Sequence, residues 1–212
     1  MRLGKYDVLG PIGIGGFGKV LLARAADQVH SSTPLVAIKR LRRARAQKKR
    51  PTDDPLKFEE AFRYEAEICS HLTHPNIVRI FEMAKVGKDY LLVMEFINGL
   101  GLDELLGQRR QKGLALPPDI ALQIAIQAGT GLHYAHEACS ADGQPLHIVH
   151  RDVKPSNIMI CKQGIVRVMD FGVARSVLHR SQTTTGTIKG TLRYLSPEQA
   201  QGARDVGPAS DQ

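Results

Sequence analysis

Apolar positions along the chain follow two patterns, short runs and a helical period. Short apolar runs bounded by Gly, Pro and polar clusters predict strands at residues 6–10, 19–25, 35–39, 77–83 and 90–96. The last two read as a hairpin around Val86-Gly87-Lys88-Asp89. Residues 56–72 follow a helical period instead: Phe58, Phe62, Cys69 and Leu72 fall in one narrow arc at ~100° per residue. Glu65 lies in that arc while Glu59, Glu60 and Glu67 project elsewhere, so Glu65 is the acid aimed at the interior, where an unpaired charge is costly. His74-Pro75-Asn76 is a turn signal. Further on, residues 102–106 begin a short helix. Pro117-Pro118-Asp119 opens a longer one, with Ile120, Ile124, Ala128, Leu132 and Ala135 as its core stripe. Residues 158–160 and 166–169 then predict a hairpin that brings Asn157 near Asp170.

Composition narrows the class. A chain of 212 residues with 42% hydrophobic content is one large domain or two small lobes with a core. Its apolar runs, such as residues 90–94, are far shorter than the ~20 residues of a spanning helix, and residues 1–11 lack an apolar signal core, so no membrane segment is expected. Cys69, Cys139 and Cys161 form no Cys-x-x-Cys pair, which indicates neither a disulfide framework nor a zinc site and fits a reducing cytoplasm. The net charge is +8, but seven positive charges lie within residues 40–50, and the remainder of the chain carries only +1. With no aromatics interleaved, that run reads as a solvated loop, not a nucleic-acid surface. His133 and His136 stand one helical turn apart without a third ligand nearby and read as structural.

The candidate chemistry centres on residues 150–157, His-Arg-Asp-Val-Lys-Pro-Ser-Asn. Asp152 is a candidate for orienting a hydroxyl and accepting its proton, Lys154 for neutralising charge on a moving phosphoryl group, and Asn157 for holding a metal ion. Ordinary turns favour the same residue types, so this run alone does not decide. Its company does. Pro11-Ile12-Gly13-Ile14-Gly15-Gly16-Phe17-Gly18 joins two strands, and its glycines let backbone N–H groups approach phosphate oxygens. A dinucleotide-binding turn would need a helix after the glycines, whereas Val20-Leu21-Leu22 continues as a strand. Val36-Ala37-Ile38-Lys39 ends a strand in a lysine, and Asp170-Phe171-Gly172 follows another strand.

In this order the motifs resemble those of the eukaryotic-type Ser/Thr protein kinases, from about residue 6 to the C-terminus. The resemblance implies an α+β, protein-kinase-like two-lobe fold. Residues 1–98 would be a small antiparallel β lobe of five strands and one helix, and residues 99–212 a mainly helical large lobe. It implies ATP and Mg²⁺ as cofactors. Ile12, Gly13, Ile14, Gly15, Gly16, Phe17, Gly18, Lys19 and Val20 would cover the nucleotide, with Ala37, Met94 and Met159 also in its site and Met94 limiting the depth. Glu95 and Ile97 belong to a hinge, residues 95–99, whose backbone would bond the adenine edge. Lys39 would contact the α and β phosphates and pair with Glu65, Asp152 and Lys154 would act in the transfer, and Asn157 and Asp170 would hold the metal.

Residues 174–189 would be the activation loop, with autophosphorylation expected among Ser181, Thr183, Thr184, Thr185 and Thr187 and a dimer as one route to it. Arg151 matches kinases whose active geometry a phosphate there stabilises. Residues 190–198 resemble the substrate-docking end of that segment, with Ser196-Pro197-Glu198 where many relatives carry Ala-Pro-Glu. Thr191 and Lys154 point to Ser/Thr acceptors on protein substrates, and residues 193–199 have a bacterial style. Residues 40–55 are longer than expected and read as an insertion. Residues 210–212 resemble the start of the buried helix that anchors the large lobe, so that lobe is expected to be incomplete. The alternative is then an inactive fragment that binds nucleotide or partners as a scaffold.

Overall fold

The computed structural model describes residues 1–15, 18–26, 34–41, 67–87, 89–171, 192–203 and 206–212. The chain divides into two compact units, residues 1–71 with 79–97, and residues 72–78 with 98–212.

The first unit is a six-stranded antiparallel sheet. Its strands are β1 (Arg2–Leu3), β2 (Tyr6–Gly15), β3 (Gly18–Ala25), β4 (Leu35–Leu41), β5 (Ile80–Val86) and β6 (Asp89–Glu95), in the spatial order β1-β2-β3-β4-β6-β5. Because successive side chains of a strand point to opposite faces, Leu21, Ala23, Val36, Ile38, Leu91 and Val93 form one apolar core with Leu3 and Tyr6. Ala37, Lys39, Leu92 and Met94 alternate with them and are also buried. Strand β6 is therefore buried on both faces and reads as a continuous apolar run. The Glu82 carboxylate of β5 accepts from Tyr6 Oη of β2 at 2.8 Å and from Lys5 Nζ at 2.7 Å, joining opposite ends of the strand order.

Three features of this unit differ from expectation. Strand β1 is a sixth strand, two residues long and too short to show alternation. Strand β2 continues to Gly15 through residues expected to be turn, and register shifts between Val8 and Gly10 and between Pro11 and Gly13 accommodate Pro11, which has no N–H for the ladder. Strand β5 begins at Ile80, since Ile77 instead bridges Val168 in the second unit. Of the expected helix at 56–72, residues 67–70 are helical and a turn follows at His71. Cys69 and Leu72 are buried as their arc predicts, while Phe58, Phe62 and Glu65 lie outside the described residues.

The second unit holds a three-stranded sheet, β7 (Gly99–Gly101), β8 (Ile158–Cys161) and β9 (Val166–Val168), with α1 (Leu102–Gln111) and α2 (Pro118–His136). Helix α2 buries Ile124, Ala128, Leu132 and Ala135, but Ile120, in its first turn, is 39% exposed and does not belong to the core stripe. The turn at residues 74–77 locks onto α2. A Cβ on Gly131 would lie 2.8 Å from the Asn76 carbonyl oxygen, so only glycine permits that approach, and the His74 and Tyr134 rings stack with centroids 4.9 Å apart. Asn76 Nδ2 donates to the Val166 carbonyl at 2.8 Å, and Gln127 Oε1 accepts from Val166 N–H at 2.9 Å. The edge of β9 away from β8 is thereby held, because Val78 N–H also donates to the Val168 carbonyl and Val168 N–H to that of Asn76.

Candidate active site

The hairpin of β8 and β9 positions the polar residues of the second unit. Ile158 pairs with Val168, and beyond that pair Met169 N–H donates to the Asn157 carbonyl at 2.9 Å. Asn157, closing the 3₁₀ turn Pro155–Asn157, and Asp170, next after Met169, therefore lie at the same end of the hairpin. Asp170 has φ 64°, a left-handed conformation that aspartate tolerates better than most residues.

Residues 150–154 run past this end. The Asp152 carboxylate is buried, and its Oδ2 accepts from Lys154 Nζ at 2.8 Å and from Asn157 Nδ2 at 3.2 Å. Asn157 Nδ2 donates also to the Asp152 carbonyl at 2.8 Å, which commits the amide nitrogen and turns the amide oxygen to other use. Asp152, Lys154 and Asn157, singled out in the sequence, are thus within hydrogen-bond reach of one another.

What holds the loop was not foreseen. Asp211, 5% exposed, accepts from His150 N–H and Arg151 N–H at 2.7 Å each and from His136 Nε2 at 2.9 Å. His136 is thus a structural partner of a carboxylate. His150 is fully buried: its Nε2–H donates to the Met169 carbonyl at 2.9 Å and its Nδ1 accepts Asp152 N–H at 3.2 Å. This is a neutral tautomer. Burial pushes the His150 pKa down, against the opposing pull of the Met169 carbonyl and of Asp211, Asp152 and Asp170. The ring also packs on Phe171, with centroids 4.7 Å apart. Arg151 adopts φ 63°, which costs an ordinary residue about 1–2 kcal/mol and is sustained by the bonds on either side of it. No periodicity signals Asp211, since its partners are 60 and 61 positions away.

In the first unit, register groups the residues expected around a nucleotide. Ala37 pairs with Met94 and Leu22, while Lys39 pairs with Val20 and Leu92. Ala37, Lys39 and Met94 are buried on one face. Ile12 is 46% exposed and Lys19 is exposed, both on the glycine-rich hairpin of β2 and β3. Gly13 lies in β2 opposite Val20, Ile14 opposite Lys19, and Gly15 opposite Gly18 at the closing end. Glu95 ends β6, its N–H donating to the Arg79 carbonyl, and the chain leaves this unit after Ile97. Met159, in β8 of the second unit, is half-buried and pairs with Gly101. Gly16, Phe17, Glu65, Gly172 and the hydroxyl-rich run at 181–187 lie outside the described residues.

The donor set suits magnesium. Among the described residues no group of three or more His, Cys, Asp or Glu is placed to hold a metal. A cation at Asn157 and Asp170 would draw its remaining oxygens from water and phosphate, which is how Mg²⁺ is commonly bound.

Fold and motif order agree with known proteins. Residues 6–212 match the family described as the protein kinase domain, and the chain belongs to that family. It is 37% identical over 201 residues to the tyrosine-protein kinase MasK of Myxococcus xanthus, covering 94% of this chain and 30% of MasK. It is 37% identical to the serine/threonine-protein kinase PrkC of Bacillus subtilis, covering 94% and 27%, and 38% identical to PknA of Mycobacterium tuberculosis, covering 98% and 44%. The chain therefore spans less than half the length of these relatives. The PknI kinase domain of M. tuberculosis superposes with a TM-score of 0.71 at 25% identity, over the whole of this chain and 69% of that one. The two-lobe α+β kinase fold is the fold of this chain. No helix among the described residues is long and apolar enough to cross a membrane.

Proposed function

We propose that the chain transfers the γ-phosphoryl group of ATP to Ser or Thr hydroxyls of proteins. The observation that carries this reading is the buried Asp152 carboxylate bonded to Lys154 Nζ at 2.8 Å and to Asn157 Nδ2 at 3.2 Å. That arrangement presents an acceptor for a hydroxyl proton beside a cation for phosphoryl charge. In the proposed reaction the substrate oxygen bonds to the γ-phosphorus as the bond to the β–γ bridging oxygen breaks. Asp152 orients the hydroxyl and takes its proton, Lys154 offsets charge on the transferring group, and ADP leaves with the bridging oxygen. Asn157 and Asp170 would hold Mg²⁺, which supplies charge neutralisation at the phosphates when bound. The glycine-rich hairpin, Ala37, Met94 and the backbone at Glu95 and Ile97 bind the nucleotide in this reading, with Lys39 on its phosphates and Glu65 as the partner of that lysine.

Ser or Thr is favoured as acceptor by Lys154 in its Asp-Val-Lys-Pro-Ser-Asn setting and by the names of PrkC and PknA, although MasK carries a tyrosine kinase name. Autophosphorylation, in a transient dimer, falls within residues 181–187 in the same reading.

Transfer of labelled γ-phosphate from Mg-ATP to a generic basic protein tests it, followed by phosphoamino-acid analysis. Wild type should yield phosphoserine and phosphothreonine, and Asp152→Asn should lose about 10²–10⁴-fold in kcat, the usual contribution of a general base. Equal rates would end the assignment of Asp152. Nucleotide binding without transfer by wild type would favour the scaffold reading, and phosphotyrosine as the sole product would overturn the acceptor class.

A further inference from the structure

Gln199 lies in the four-residue helix α3 (Pro197–Ala200), and its side chain is committed at both ends. Its Oε1 accepts from Ser196 N–H at 3.1 Å, and its own N–H donates to Ser196 Oγ at 3.3 Å, closing a reciprocal cap on that helix. Its Nε2 does something the cap does not require: it donates to the carbonyl oxygen of Arg151, 48 positions away, at 2.9 Å. The amide can sit only one way round, because the opposite orientation would set its NH₂ against Ser196 N–H and its oxygen against the Arg151 carbonyl. A glutamate would complete the cap equally well, yet it could not donate to that carbonyl. Capping therefore accounts for the oxygen of Gln199 and leaves its nitrogen unexplained.

The carbonyl it reaches belongs to the peptide group that leads into Asp152. The N–H of that same group, on Asp152, donates to His150 Nδ1 at 3.2 Å. The peptide plane is thus held at both ends, by His150 on the N–H and by Gln199 on the oxygen. Its neighbour toward the N-terminus is held by Arg151 N–H on Asp211 Oδ1 at 2.7 Å. With Arg151 at φ 63°, outside the common regions for a side-chain-bearing residue, relaxation of this peptide plane would swing the Asp152 carboxylate away from Lys154 and Asn157. A displacement of ~1 Å at a reacting group can cost on the order of 10²-fold in rate.

We propose that Gln199 is a positioning residue, which sets the direction of the Asp152 carboxylate by fixing the Arg151–Asp152 peptide plane. The proposal rests on the phosphoryl-transfer reading above. It also ties Gln199, which directly follows the segment expected to dock protein substrates, to the residue expected to take the hydroxyl proton.

The discriminating variant is Gln199→Glu, which keeps the acceptor of the cap and removes the donor to Arg151. Steady-state transfer on the full chain should show kcat lowered about 10-fold, KM for ATP unchanged and no loss of melting temperature. Gln199→Met removes cap and donor together, and should lower both kcat and melting temperature. A pure capping role predicts that Gln199→Glu matches wild type, and that result would overturn the proposal. Hydrogen–deuterium exchange over residues 150–157 gives a second readout independent of turnover. Gln199→Glu should speed exchange there, and unchanged exchange overturns the proposal even if wild type transfers no phosphate. Asp152→Asn, run in parallel, separates the two readings: wild-type turnover by that variant sinks the role of Asp152 but leaves the exchange result to judge the Gln199 clamp.

Discussion

Asp152 and Asp211 are both buried carboxylates, and their surroundings separate them. Asp211 accepts two backbone N–H groups and a histidine, so its oxygens are committed to holding the loop, while Asp152 Oδ2 meets the flexible end of Lys154 and an amide. His150, between them, acts by staying neutral. Its pKa is lowered by burial below the ordinary value of about 6.5, so as pH falls the unfolded chain takes up that proton before the folded one. Stability present above pH about 6.5 is then lost as the pH drops below it, by up to about 1.4 kcal/mol per pH unit for one proton. Urea unfolding in EDTA between pH 7.5 and 5 should show this extra slope in wild type and not in His150→Phe. Equal slopes would mean that His150 is not buried as a neutral ring. The contacts among Asp152, Lys154 and Asn157 were legible in the sequence because their spacing is local, but the role of His150 was not, since it depends on Met169 and Asp211.

At the scale of elements, helix α2 shows how context sets the sign of one substitution. Gly129 and Gly131 both cost helix propensity, by up to about 1 kcal/mol relative to alanine. A Cβ at Gly129 meets nothing within 4 Å, whereas at Gly131 it would meet the Asn76 backbone at 2.8 Å. Gly129→Ala should therefore raise stability by about 0.5–1 kcal/mol. Gly131→Ala should lower it, because displacing a backbone turn costs about 1–3 kcal/mol and exceeds the propensity gain. Chemical denaturation of the two variants checks this, and a stabilising Gly131→Ala would show that the 74–77 turn yields freely. Apolar patterning was readable in the strands, as short runs that include β4 and β6, which are buried on both faces. It failed at the first turn of α2, where Ile120 keeps the helical spacing but lies beyond the packed surface. It failed also at Ile77, whose apolar character serves a bridge to Val168 instead of the hairpin.

On the scale of the whole molecule, the chain carries one set of candidate nucleotide residues in each compact unit, Val20, Ala37, Lys39 and Met94 in the first and Met159, Asn157 and Asp170 in the second. A ligand that binds only the folded chain stabilises it by mass action, about 2.7 kcal/mol at 100 times its Kd. A non-hydrolysable ATP analogue with Mg²⁺ should raise the melting temperature by several degrees, with less effect in EDTA or in Asp170→Asn. An equal shift without magnesium would remove Asn157 and Asp170 from metal binding.

The sequence by itself determined the order of the motifs, the antiparallel strand pattern of residues 6–96 and the short-range set Asp152, Lys154 and Asn157. Each of these is written in neighbours along the chain: short apolar runs, turn chemistry, and polar groups at most five positions apart. The tertiary structure decided what holds them. Asp211 on the loop backbone, Gln199 on the Arg151 carbonyl, Asn76 on β9 and the close approach at Gly131 join segments 48 to 90 positions apart. Such contacts exist only once the chain has closed. No local period encodes them, since an isolated aspartate or glutamine reads the same on a surface as it does against a buried peptide N–H or carbonyl.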